Sequence, residues 1–234
     1  MESKLNRPAT GSRLKLAVFD CDGTLVDSQH RIIATMYAAC DVVGAVRPDA
    51  SAIRHVIGLP LIGAIARLLP DLSPDLHNRI CEVYKAHFSA SRQAGQHCEE
   101  LYPGIRQCVE VLDGRGWLLG IATGKSSRGL VATLGAHGLI GRFCTLQTAD
   151  VGIGKPNPDM LLRAMSETGC EPEATVMIGD TSFDMEMARN AGTRAVGVGW
   201  GYHNPADLMA AGADTVVHRG DELTAVLCAM LENT

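Results

Sequence analysis

The chain has 234 residues, 46% of them hydrophobic and 20% charged, with a net charge of −5. That composition excludes an intrinsically disordered chain, and the length allows a hydrophobic core that needs no disulfide or structural metal. The mild acidity gives no electrostatic reason to hold nucleic acid or an anionic membrane, so neither is expected as a partner.

Residues 1–12 read as a loose polar tail without the apolar segment of an export signal. The first strand is expected in the apolar run Leu14 to Phe19, which ends at Asp20. Residues 28–100 then carry helical patterns only. Ile32, Ile33, Met36, Cys40 and Val43 share one helical face behind Ser28 as N-cap, and a second pattern runs from Asp75 to Ala94 after Ser73-Pro74. Val56 to Ala66 is the longest apolar stretch, but Gly58, Pro60 and Gly63 break it and it is too short to span a bilayer. Beyond residue 100, strands are expected at Trp117–Ala122, Ala174–Ile178, Arg194–Val198 and Asp214–Val217. Helices are expected at Ser126–Ala136, Pro158–Thr168 and Ser182–Ala191. Alternating strands and helices of this length predict an α/β fold with a Rossmann-like parallel sheet. The division is a discontinuous core, 13–27 and 101–234, interrupted by a helical domain over 28–100. The eight cysteines contain no C-x-x-C pair, so zinc-ribbon and thioredoxin readings fail and free thiols in a reducing cytoplasm are expected.

Four segments at strand ends or helix starts carry the chemistry, where open parallel sheets bind their ligands. In Asp20-Cys21-Asp22-Gly23-Thr24, two acids close an apolar strand. Packing like charges there asks for a cation or a proton; the alternative is a solvated turn with acidic caps. Thr123-Gly124-Lys125-Ser126 follows a strand and reads either as an anion cradle or as an ordinary helix N-cap. It is not a P-loop, because position 119 holds Leu rather than Gly. In Gly154-Lys155-Pro156-Asn157-Pro158-Asp159, two prolines stiffen the backbone around Lys155, which could neutralise a phosphate or be a surface lysine. In Gly179-Asp180-Thr181-Ser182-Phe183-Asp184, two acids four apart suit Mg²⁺ or cap the next helix.

Taken together and in this order, these segments resemble the haloacid-dehalogenase-like hydrolases, with the phosphoglycolate phosphatase type as the nearest subgroup. The motifs are DCDGTLVDS at 20–28, ATGK at 122–125, GKPNPD at 154–159 and GDTSFD at 179–184. Gly58-Leu59-Pro60 and Gly199-Trp200-Gly201-Tyr202 add weaker likeness to the subgroup. The resemblance implies that residues 28–100 are a helical cap and that the chain is a phosphatase acting through an aspartyl-phosphate. Asp20 would be the nucleophile. Asp22, crowded by other acids, would be the general acid and base. Mg²⁺ would be held by Asp20, the Asp22 backbone carbonyl, Asp180 and Asp184. Thr123, Gly124 and Lys155 would hold the phosphoryl oxygens, and Lys125 is given no catalytic role. The partner implied is a small phosphorylated metabolite, such as 2-phosphoglycolate.

The dehalogenases of this family replace the second acid with tyrosine, whereas this chain keeps Asp22, which points to phosphate chemistry. Phosphosugar mutases tend to carry Glu-Asp where this chain has Gly179-Asp180, which favours hydrolysis. A signalling receiver module has its acids in a different order, and a mere phosphate-binding module would lack one of them. Arg54, His55, Arg67 and Lys85 either read the substrate or stand on a solvated helix face, and His30 and His203 either approach the site or are plain surface residues. Oligomeric state stays open.

Overall fold

The computed structural model describes residues 14–93 and 99–232. Strand β1 (Leu16–Phe19) is followed by the short β2 (Val26–Asp27) and by helices α1 (Gln29–Val43), α2 (Ala50–Val56), α3 (Leu61–Leu68) and α4 (Pro74–Gln93). Strand β3 (Glu100–Leu101) then returns antiparallel on β2. After it come α5 (Ile105–Gly114), β4 (Leu118–Thr123), α6 (Ser127–Ala136), β5 (Thr145–Thr148), α7 (Asp159–Thr168) and β6 (Thr175–Gly179). The chain closes with α8 (Ser182–Ala191), β7 (Arg194–Val198), α9 (Pro205–Ala211), β8 (Thr215–Val217) and α10 (Gly220–Glu232).

Among the described residues, six strands make one parallel sheet in the order β5-β4-β1-β6-β7-β8. This is an α/β fold of the Rossmann type. Strands β1, β4, β6 and β7 read as near-continuous apolar runs because both faces are buried. Leu16 and Val18 join a cluster with Met160, Leu161 and Met187, while Ala17 and Phe19 join the opposite one with Ile105, Leu112 and Leu227. Helices α1–α4 have a separate core of Met36, Ala39, Cys40, Ile53, Ile65, Ile80 and Cys81. The ribbon β2–β3 stands where the chain leaves and rejoins the sheet.

Strand β5 lies outside the sequence expectation, because Thr145, Leu146, Gln147 and Thr148 form no apolar run. As an edge strand it pairs with β4 alone. Its buried polar groups are satisfied: Gln147 Nε2 donates to Thr145 Oγ1 at 2.8 Å, and Thr145 Oγ1 donates to Glu167. The pair β2–β3 is two residues long on each side, too short for any pattern to show. No helix among the described residues is long and apolar enough to cross a membrane.

Candidate active site

Three acids meet at the carboxyl ends of β1 and β6. The Asp20 N–H donates to the Ile178 carbonyl at 2.9 Å, so the β1–β6 register carries Asp20 to the sheet edge. Asp180 follows β6. Thr24 Oγ1 donates to its Oδ1 at 2.8 Å, and the Tyr202 N–H donates to its Oδ2 at 3.0 Å. Asp184 sits in the first turn of α8, where Oδ2 accepts from the Thr181 N–H at 3.0 Å and the Thr181 hydroxyl at 2.7 Å. Asp184 Oδ2 thus caps the helix, as one sequence reading has it, while Oδ1 faces Lys155 and the other acids. Gly23 permits the close approach, since its φ is +87° and a Cβ there would stand 2.2 Å from Asp180 Oδ2.

The three buried carboxylates each offer an oxygen, and these lie within 4.8 Å of one another. Lys155, only 2% exposed, brings Nζ to 2.9 Å from Asp20 Oδ2 and 2.6 Å from Asp184 Oδ1. These are ion-pair distances without hydrogen-bond angles, so Asp20 Oδ2, Asp184 Oδ1 and Lys155 Nζ are buried with no hydrogen-bond partner. One ammonium does not balance three carboxylates. Burial pushes Asp20 up to about 7, against the pull of Lys155 and with the repulsion of Asp184. Burial, then Asp20 and Asp184, hold Asp180 well above the usual carboxylate range. Burial alone would lower the Lys155 ammonium, but Asp184 and Asp20 outweigh it and raise it. Buried hard oxygen donors short of positive charge fit a divalent cation.

Asp22 faces elsewhere. Its Oδ1 accepts from Ser28 Oγ at 2.6 Å and lies 2.8 Å from Lys125 Nζ. Its side chain is outside the carboxylate cluster, which leaves only its backbone carbonyl for a metal. Two expectations change here. The partners of the Asp22 carboxylate are a cation and a hydroxyl rather than a crowd of acids. Ser28 stands at the N-cap position of α1 but makes no cap hydrogen bond, because its hydroxyl serves Asp22. Lys125, read as without a role, is buried. Burial would lower its ammonium, but Asp22 and Glu99 outweigh it. Its Nζ also lies 3.4 Å from Glu99 Oε1, and Glu99 in turn meets Arg31 at 3.3 Å and accepts from Thr133 Oγ1 at 2.8 Å. No motif marks Glu99, the first of two adjacent acids, Glu99-Glu100.

Thr123 ends β4. The cap of α6 is Ser126, whose Oγ accepts from the Gly129 N–H at 3.2 Å. Thr123 and Gly124 are therefore not spent on capping, and both line a cavity of about 660 Å³ shared with Asp20 and Asp22. The α2–α3 loop closes on this rim: a Cβ on Gly124 would stand 2.9 Å from the Gly58 carbonyl. Of the expected specificity residues, Lys85 lines the cavity and Arg54, His55 and Arg67 do not. The Arg67 guanidinium lies 5.8 Å from the centre of the Phe183 ring. His55 stacks on His203 with ring centres 4.4 Å apart. Neither His203 nor the exposed His30 lines the cavity, whereas Arg128, which no motif marks, does. Tyr202 serves the site twice, through its N–H on Asp180 and its hydroxyl 3.2 Å from Ser28 Oγ.

A family model described as haloacid dehalogenase-like hydrolase matches residues 17–198. A probable phosphatase IndB of Dickeya dadantii is 34% identical, over 93% of this chain and 95% of that protein. An N-acetylmuramic acid 6-phosphate phosphatase of Pseudomonas aeruginosa is 33% identical, over 92% of this chain and 95% of that protein. Among solved structures, a hydrolase from Pseudomonas syringae superposes with a TM-score of 0.81 at 26% identity, covering 92% of this chain and 98% of that one. With the family match over most of its length and the acids gathered at the expected strand ends, the chain belongs to the haloacid dehalogenase-like hydrolases and is an enzyme of their phosphatase kind.

Proposed function

We propose that this enzyme is a Mg²⁺-dependent phosphatase that hydrolyses a small phosphomonoester through an aspartyl-phosphate at Asp20. The observation that carries the reading is the meeting, at one cavity, of two differently equipped acids. Asp20 stands among carboxylates and Lys155, and Asp22 stands apart with Lys125 and Ser28. Asp20, Asp180 and Asp184, with the Asp22 carbonyl, would hold Mg²⁺, which when bound offsets the repulsion between carboxylate and phosphate dianion.

The residues of the chain divide the remaining work. An Asp20 oxygen attacks phosphorus, the ester P–O bond breaks, and Asp22 in its acid form gives its proton to the leaving oxygen. In the second step Asp22 takes a proton from water as the water oxygen attacks phosphorus. The acyl-phosphate P–O bond breaks, and phosphate and the Asp20 carboxylate are released. Thr123, the Gly124 backbone and Lys155 hold the phosphoryl oxygens, where charge builds in the transition state. Helices α1–α4 act as the cap that excludes water and reads the leaving group. The reading keeps a small phosphorylated metabolite as partner and the reducing cytoplasm, where free thiols persist, as location.

Phosphate release tests this across 2-phosphoglycolate, sugar phosphates, nucleotides and pyrophosphate, with and without Mg²⁺. The expected result is Mg²⁺-dependent release that falls by at least about a thousandfold in Asp20→Asn. Release that survives in Asp20→Asn, or isomerisation of a phosphosugar without release, overturns it.

A further inference from the structure

We propose that the leaving group this site prefers is an apolar-bodied alcohol, so that its substrates are alkyl or aryl phosphomonoesters rather than sugar phosphates or 2-phosphoglycolate. The inference rests on the phosphatase reading and names the substrate class of that same site.

The cavity of about 660 Å³ opens from Asp20, Asp22 and Thr123 toward the four helices. Its size far exceeds what 2-phosphoglycolate fills, and ligand cavities of this volume bury drug-sized bodies. The wall facing the phosphate end is built from Met36 of α1, Ile53 and Val56 of α2, Leu61 of α3, and Tyr84 and Phe88 of α4. These side chains are apolar or aromatic and come from every helix of the block, although the Phe88 ring also carries the Arg31 guanidinium 4.0 Å and Lys125 Nζ 5.3 Å from its centre. Polar lining groups on the helical side are the Tyr84 hydroxyl, Lys85 and Ser89, and the Ser89 hydroxyl already accepts from Arg128. Lys85 and Arg128 also line the cavity but are exposed, so their charges keep contact with water.

A sugar ring in this space would bring several hydroxyls out of water against carbon. A hydroxyl taken from water without a partner is penalised, whereas each methylene placed there gains. The same wall therefore selects for chain length and against hydroxylation. The phosphate end is satisfied identically in all these esters, so the discrimination belongs to the helices.

The test is kcat/KM with Mg²⁺ for ethyl, butyl and hexyl phosphate, whose leaving groups are chemically alike, against glucose 6-phosphate and 2-phosphoglycolate. The expected result is a rise of about threefold per added methylene, and hexyl phosphate ahead of the equally six-carbon glucose 6-phosphate by about a hundredfold. In Met36→Gln, which keeps length and adds an amide to the wall, the hexyl-to-ethyl ratio falls by about tenfold. Val56→Thr, nearly isosteric, does the same to a smaller extent. Each ratio is taken within one protein, so a reduced fraction of folded enzyme leaves it unchanged. Turnover with a flat or falling chain-length series, or with glucose 6-phosphate or 2-phosphoglycolate ahead of hexyl phosphate, overturns this inference and leaves the phosphatase reading standing. A rising series that neither variant alters overturns the assignment to this wall. No turnover of any ester overturns both readings.

Discussion

The charge balance around Asp20 is the feature from which most of the chemistry follows. Three buried carboxylates face one ammonium, so the metal-free site relieves itself by holding a proton, and Asp20 is pushed up to about 7 from an unfolded value of 3.8. Between those two values the folded state binds a proton that the unfolded chain has released. Metal-free stability therefore falls as pH rises through that window. A divalent cation must expel the proton to bind, which costs less at higher pH. The rise in melting temperature caused by Mg²⁺ should therefore be larger at pH 7.5 than at pH 5.5. At Mg²⁺ a hundredfold above its Kd, the gain is about 2.7 kcal/mol, or roughly 5 °C or more for a domain of this size. Differential scanning calorimetry at the two pH values measures it, and an equal or larger Mg²⁺ effect at pH 5.5 contradicts the charge balance described.

At the scale of elements, the site is made by strand ends and helix starts, and the seam between the helices and the sheet adds a second titrating contact. His203 Nδ1 accepts the Ser182 N–H at 3.1 Å, and Nε2 faces the His55 carbonyl at 3.2 Å while the two rings stack. Only the neutral ring can accept that N–H. Burial, then the neighbouring His55, lowers His203 below its usual 6.5. The folded value lies below the unfolded one, so the contact stabilises fully above pH 6.5 and is lost as pH falls through the folded value. An NMR titration of the imidazole should give a midpoint under 6.5, and the stability advantage of wild type over His203→Gln should shrink between pH 7.5 and 5. A midpoint above 6.5 contradicts the arrangement.

The same scale explains what was legible in the sequence. The apolar runs of β1, β4, β6 and β7 announced themselves because both sheet faces are covered, and the acids after β1 and β6 stood out because they end such runs. Strand β5 was hidden by its polar edge position, and β2–β3 by brevity. That Asp20, Asp180 and Asp184 belong together is what the family resemblance implies, since each segment alone also reads as a turn or a helix cap. Glu99 and the contact of Lys125 with Asp22 were not legible, because they depend on residues far apart in sequence meeting in a buried ion-pair chain. His55 and Arg67 read from sequence either as substrate contacts or as a solvated helix face, whereas each meets an aromatic ring across the seam.

For the whole molecule, the arrangement separates two tasks. In the proposed reading the sheet would hold the phosphate end through residues whose positions are set by parallel register, and the helices inserted between β2 and β3 supply the far wall of the cavity. The small ribbon is the link through which both tasks share one chain. Glu99, just before β3, ties Lys125 of the sheet side to Arg31 of α1. A sheet that carries the acids and helices that wall the cavity fit a family with one fold and many substrates.

In the proposed mechanism Asp20 becomes phosphorylated during turnover. The direct measurement is acid quenching of the enzyme during steady-state hydrolysis with Mg²⁺, borohydride reduction, and peptide mass spectrometry. An aspartyl-phosphate is reduced to homoserine, so that mass change is expected at Asp20, dependent on substrate and absent in Asp20→Asn. Phosphate release with Asp20 unmodified, or with the change at Asp22, Asp180 or Asp184 instead, would contradict it.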